Sequence, residues 1–244
     1  IHDFPVEPTE DTLSFFVVYM SHHIKPDSVG TYLSGICNQL EPYFPDVRAS
    51  RRSSIVTRTL KGCKRLKGTP IARKRALSLD DLAIVINDSH DHPSHDSFLF
   101  AAMMATGFFA LLRLGEMTFP DDPSIREWRK VTRRSSVVVT DTQYEFHLPA
   151  HKADRYFEGN KIIVRKHQFR HNPLSLFLRY LQSRDTKFPL ASPLWLTSRG
   201  EVPTRSFFMS RLRTFFDRGV AGQSMRAGGT TSLAEHGIPP SIIQ

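Results

Sequence analysis

A chain of 244 residues, 40% hydrophobic and 23% charged, can build one large or two modest globular domains, and this composition excludes a wholly disordered polymer. The formal net charge of +9 favours partners of dense negative charge, nucleic acid ahead of a membrane surface. Only Cys37 and Cys63 are present, which excludes a disulfide framework or a cysteine zinc site and suits a reducing, intracellular setting.

The opening IHDFPVEPTEDT has no basic stretch leading into an apolar run, so no signal peptide is expected, and no internal repeat is visible. Thr9 caps a first predicted helix whose opening turn carries Glu10 and Asp11 and whose inner face is Leu13, Phe16, Val17 and Met20. A second helix starts near Asp27 and turns Val29, Leu33, Ile36, Cys37 and Leu40 inward. A third spans 54–66, with Val56, Leu60 and Cys63 on one face and Arg58, Lys61 and Arg65 on another. Charge divides this region. Residues 1–46 are acidic with Lys25 the single base, whereas 47–75 contain Arg48, Arg51, Arg52, Arg58, Lys61, Lys64, Arg65, Lys67, Arg73, Lys74 and Arg75 and no acid. A basic run is most simply a solvated surface; without compensating acids it points to phosphate contact, from Arg58, Lys61, Lys64, Arg65, Lys67, Arg73, Lys74 and Arg75.

A small helical domain is therefore expected over 1–68, a basic linker over 69–77 (KGTPIARKRALS spans it) and a second domain over 78–244. The second domain opens with a helix capped by Ser78, followed by a long apolar helix expected over 97–118. The latter has no charge from Ser97 to Leu112, but Asp96 and Arg113 close it well short of the roughly 20 residues of a membrane span. SSVVVT, YEFHL and KIIVRK then read as three short antiparallel strands, and NPLSLFLRYLQSR, TRSFFMSRLRTFFDRG and SMRAGGTTSLAEHG return to helix. The expected class is mainly α, an α+β arrangement with one three-stranded sheet.

HDHPSH offers His90, His92 and His95 as metal ligands, but its spacing matches no familiar helical site, and a polar loop between helices is the simpler reading. No metal or other cofactor is expected. Neither a Gly-rich phosphate loop nor a G-x-S-x-G elbow occurs, so nucleotide binding and serine-esterase chemistry lack support. A more dispersed set carries the chemistry. Arg113 lies in the apolar helix with Glu116 three residues on, placed to orient its guanidinium; a buried ion pair with no further role is the competing reading. Lys152 lies between the second and third strands. Arg226 begins a helix in which Gly228 and Gly229 permit close backbone approach. Two arginines and a lysine converging on one point suit a phosphodiester whose charge grows in a pentavalent transition state.

These segments carry a resemblance. TGFFALLRLGEM is similar to the TG-R-E signature of the tyrosine recombinases, the phage-integrase family. LPAHKADRYFEGNKIIV resembles that family's lysine-bearing hairpin, and SMRAGGTTSLAEHGIPPSIIQ its helix with the second catalytic arginine. The likeness spans nearly the whole chain and leans toward integrases of eukaryotic, especially fungal, mobile elements.

The resemblance implies a core-binding domain ahead of a catalytic domain, double-stranded DNA as partner, self-assembly on paired DNA sites, no membrane, and a nuclear location in a eukaryotic source. It implies that Arg113 and Arg226 hold the scissile phosphate, that Glu116 supports Arg113, and that Lys152 is the acid for the leaving 5′ oxygen. The family usually has His or Lys three residues before the second arginine; here the position is Gln223, which donates a hydrogen bond but cannot shuttle protons. The family's nucleophilic Tyr comes after the second arginine. Tyr19, Tyr32, Tyr43, Tyr144, Tyr156 and Tyr180 all precede Arg226, so the catalytic domain is expected to be cut off before its nucleophile segment. Tyr180 reads as a core or ridge residue and His236 as a helix C-terminal histidine. A DNA-binding remnant without chemistry and a type IB topoisomerase relative are the alternatives.

Overall fold

The structure, a computed structural model, describes residues 7–68, 73–150, 158–166, 172–239 and 241. The chain divides into two compact units, 1–72 and 73–244.

The first unit is helical: α1 Glu10–His23, α2 Pro26–Leu40, α3 Val47–Arg52 and α4 Ser54–Lys67. Thr9 caps α1 as expected, its hydroxyl accepting from the Thr12 N–H at 3.2 Å. Leu13, Val17, Val29, Leu33 and Val56 form the core, with Phe16, Met20, Leu60 and Cys63 packed around it. The short helix α3 was not anticipated, since its sequence VRASRR has one large apolar residue, the buried Val47, and therefore no period to read.

The second unit is built on α5 Leu79–Asp91, α6 His95–Phe109, α7 Pro173–Lys187, α8 Arg205–Phe215 and α9 Gln223–Glu235, with the strands β1 Val138–Val139, β2 Gln143–Leu148 and β3 Asn160–Arg165. Mainly helical with one three-stranded antiparallel sheet, it has the expected class. Ser78 and Asp81 form a reciprocal cap on α5, and Ser94 and Ser97 do the same for α6. In β2, Tyr144, Phe146 and Leu148 face the core and alternate with Gln143, Glu145 and His147. The outer strand β1 is shorter than SSVVVT suggested, because Arg134–Ser136 forms a 3-10 turn.

α6 is the central helix, packed by α5, α7 and α9. Leu99, Phe100, Met103, Met104 and Phe108 are buried, which is why nearly every position is apolar. Its end corrects the sequence reading. The helix stops at Phe109 rather than running to 118, and Leu111 adopts φ +54°, the one described non-glycine residue with positive φ. The Leu112 N–H returns to the Gly107 carbonyl at 3.1 Å, closing a Schellman-type end with leucine where glycine is usual. Apolarity along 97–112 reported burial, not helix length.

The histidine segment is corrected as well. His90 lies in the last turn of α5, 2.7 Å from Arg179 Nη1, and His92 caps that helix. His95 opens α6 as a buried residue, with Nδ1 2.9 Å from Ser183 Oγ and Nε2 2.9 Å from the Leu196 carbonyl. Among the described residues no group of three histidine, cysteine or acidic side chains is placed to hold a metal. No described helix is long and apolar enough to cross a membrane.

Candidate functional site

α9 makes two faces from one sequence. Met225, Gly228 and Gly229 turn inward and are buried. A Cβ on Gly229 would fall inside the carbonyl oxygen of Phe108 and 2.6 Å from Leu111 Cδ2, and one on Gly228 inside the carbonyl oxygen of Leu77. Across the crossing, a Cβ on Gly107 of α6 would meet Met225 Sδ at 2.8 Å. Missing side chains on both helices thus let α9 settle onto the last turn of α6, as the Gly228–Gly229 pair suggested.

The other face of α9, Gln223, Arg226, Ala227, Thr230 and Thr231, repeats at helical spacing and lines a cleft of about 1130 Å³. Arg113, Leu114, Gly115 and Glu116 line the opposite wall, and Lys74, Lys130, Ala150 and Arg205 complete the rim. Of the residues singled out from the sequence, Arg113, Glu116, Gln223, Arg226 and Lys74 therefore share one site. Lys152 lies outside the described residues, two positions beyond Ala150. Among the described lining residues Glu116 is the one acid against Lys74, Arg113, Lys130, Arg205 and Arg226.

Arg113 is not in a helix. It stands just before the 3-10 turn Leu114–Glu116, in extended backbone, and its side chain is 46% exposed. The competing reading, a buried ion pair, does not hold for Arg113, whose charge stays in contact with solvent. Glu116 is the buried partner at 10% exposure: its Oε2 accepts from the Arg113 N–H at 2.8 Å and its Oε1 from Arg113 Nη1 at 3.2 Å. One carboxylate thus fixes both the backbone entering the turn and the guanidinium leaving it. The expected pairing is present, but produced by a turn and not by one helical face.

The basic stretch is partly answered by acids from other elements. Arg48 makes two 2.6 Å bonds to Glu41, Lys64 lies 2.9 Å from Asp27, and Arg75 donates to Asp81 at 2.5 and 3.1 Å. Burial opposes ionisation of Asp81, but its Arg75 and Ser78 hydrogen bonds prevail and hold the carboxyl below its usual range. Arg75 therefore serves the start of α5, and Lys74 donates to the Arg218 carbonyl at 2.7 Å. On α4, Arg58, Lys61, Lys64, Arg65 and Lys67 are exposed; Arg73 is exposed too.

Tyr144 and Tyr180 are buried with their hydroxyls engaged. Tyr144 meets Thr106 Oγ1 at 2.8 Å, while the Tyr180 hydroxyl donates to the Leu194 carbonyl and accepts from the Leu196 N–H, each at 2.8 Å. Burial pushes both phenols up, away from ionisation. His236 sits at the C-cap of α9 with Nδ1 2.7 Å from the Ser232 carbonyl oxygen.

Sequence reasoning missed Lys130, Arg205 and Thr230. For Thr230 the signal was available, one helical turn after Arg226; Lys130, in a 3-10 turn, and Arg205, at the start of α8, reach the cleft through tertiary packing that no spacing rule encodes.

No family model matches the chain, and a search of curated proteins finds no relative. Among solved structures, the Tn1549 transposon integrase (residues 82–397) in complex with circular intermediate DNA is similar at a TM-score of 0.58 and 12% identity, over 99% of this chain and 77% of that one. The XerA recombinase is similar at a TM-score of 0.51 and 15% identity, over 95% and 86%. The fold of this chain is thus similar to that of these two solved structures, an integrase and a recombinase.

Proposed function

We propose that this chain binds double-stranded DNA in the manner of a tyrosine recombinase, using Arg113 and Arg226 to clamp one phosphate of the strand that such enzymes break and rejoin. The observation that carries the proposal is the convergence, on one cation-rich cleft, of two arginines far apart in the second unit's sequence, one of them held by a buried carboxylate. In this reading Glu116 positions Arg113, Gln223 donates a hydrogen bond to the phosphate, and Lys152 is the acid for the leaving 5′ oxygen. The exposed cations of α4, with Arg73 and Lys74, supply sequence-independent phosphate contacts. Similarity to an integrase held on DNA supports the choice of ligand.

Arg113→Ala and Arg226→Ala should each weaken duplex binding roughly tenfold. Each should also lower the slope of log affinity against log salt by about 0.9 for every phosphate that the variant leaves unneutralised. Fluorescence anisotropy of labelled duplex DNA at several salt concentrations reads both quantities. Unchanged affinity and slope in both variants would remove the clamp.

A second reading, DNA binding without chemistry, is favoured by Gln223 and by the buried Tyr144 and Tyr180. On a nicked suicide substrate this 244-residue chain should bind without forming a covalent adduct. An adduct surviving denaturing electrophoresis would overturn that reading. A type IB topoisomerase relative would instead relax supercoils as a monomer.

A further inference from the structure

A basic run of the second unit has no role in the proposed clamp. SIREWRKVTRR carries Arg126, Arg129, Lys130, Arg133 and Arg134 against the single acid Glu127, and in its middle Trp128 is 68% exposed. The cations divide by role. Arg126 is spent internally, donating to the carbonyls of Pro120 and Asp121 and lying 5.7 Å over the Phe119 ring, and Arg134 grips Asp185. Arg129 and Lys130 share Glu127 yet stay 65% and 49% exposed, and Arg133 is exposed. Just upstream, the exposed Asp121 and Asp122 accept from the Ser206 and Ser124 N–H groups. Within the run itself five cations stand against Glu127.

Trp128 is held in place by an edge-on contact with Phe119, ring centroids 5.1 Å apart, and Ile125 beside it is 61% exposed. The segment also adjoins the clamp. Lys130 lines the large cleft, and together with Gly115 and Glu116 it also lines a smaller cavity of about 190 Å³ whose wall includes Ile125 and Glu127. An exposed indole among cations, continuous with a phosphate-binding cleft, suits the backbone of a nucleic acid, with the ring against sugars and base edges and the cations on flanking phosphates.

We infer that residues 125–133 form a second DNA-contacting surface, on which Trp128 packs against duplex DNA leaving the cleft while Lys130, Arg129 and Arg133 hold the phosphates beyond the clamped one. The inference rests on the clamp reading, and its test separates the two. The chain has two tryptophans, and Trp195 is buried, so exposure-sensitive emission reports Trp128. Saturation with duplex DNA should shift that emission to the blue and protect it from acrylamide, and both changes should vanish in Trp128→Phe. Trp128→Ala should weaken binding roughly fivefold, through the apolar ring area that DNA no longer covers, and Arg133→Ala should lower the salt slope by about 0.9. Arg133→Ala leaves the Trp128–Phe119 contact intact, so the test does not hang on one variant's folding. DNA that binds by anisotropy without altering Trp128 emission, with Arg133→Ala at the wild-type slope, would overturn this surface and leave the clamp standing. Absence of any DNA binding by the wild-type chain would remove both. Protection of Trp128 that follows protein concentration without DNA would make the patch a contact between copies and overturn the inference.

Discussion

Gly229→Ala should cost the second unit about 3 kcal/mol or more, at the top of the range for overpacking a close-packed contact. The added methyl group meets the carbonyl oxygen of Phe108, which is backbone in the last turn of α6, and no side-chain rotation relieves it. α9 must lift from α6 or α6 must fray. Either movement separates Arg226 from Arg113, so DNA affinity should fall along with stability. Gly35→Ala in α2 is the control: nothing lies within 4 Å of its added Cβ, and helix propensity alone should stabilise the first unit by about 0.5–1 kcal/mol. Urea denaturation of both variants measures the contrast. Equal effects would mean that the α6–α9 crossing is not the constraint described.

Arg184→Met should be as damaging by a different route. Arg184 is fully buried and donates to the Asp185 carboxylate at 2.9 Å, to the carbonyls of Phe188 and Pro193 at 3.0 and 2.8 Å, and to the carbonyl of Ala191. It gathers the chain after α7 into the turn that leads to Leu194 and Leu196, the partners of Tyr180. Methionine fills much of the volume but leaves three carbonyls and a carboxylate short of donors. A loss of about 3–5 kcal/mol is expected, and a lowering of Tm by roughly 6–20 °C for a unit of this size. A loss below about 1 kcal/mol would refute the assignment.

The same site has a pH signature. Burial raises the Asp185 carboxyl, but Arg134 and Arg184 outweigh it and hold it below the ordinary value of 3.8. Its stabilisation is therefore complete above that value and is withdrawn as pH falls through the lowered one. In Arg184→Met the acid-induced loss owed to Asp185 should be smaller and should be complete at higher pH, which denaturation midpoints across the acidic range would register.

The helices were legible in the sequence wherever an apolar stripe and a capping hydroxyl coincided, as at Thr9 and Ser78, and so was the alternation of Tyr144, Phe146 and Leu148. α3 was invisible because VRASRR has no period, and the end of α6 was misread because Leu111 takes a conformation normally left to glycine. For the cleft, the pairing of Arg113 with Glu116 and the close approach at Gly228 and Gly229 were readable from residue type and spacing. Lys130 and Arg205 were not, since each reaches the site through tertiary packing. The acids that answer Arg48, Lys64 and Arg75 were likewise hidden, because Glu41, Asp27 and Asp81 belong to other elements.

Leu111 bears on whether the two walls of the cleft are thermodynamically independent. Left-handed backbone costs a leucine about 1–2 kcal/mol, so neighbouring structure must hold the turn that presents Arg113. That neighbour is Gly229, over which the Leu111 side chain lies. Leu111→Gly relieves the backbone cost and removes the side chain that Gly229→Ala would strike. The two substitutions should therefore be non-additive, with a coupling energy above about 0.5 kcal/mol in a double-mutant cycle. A change felt first at one arginine's support would then be transmitted to the other without either guanidinium being touched.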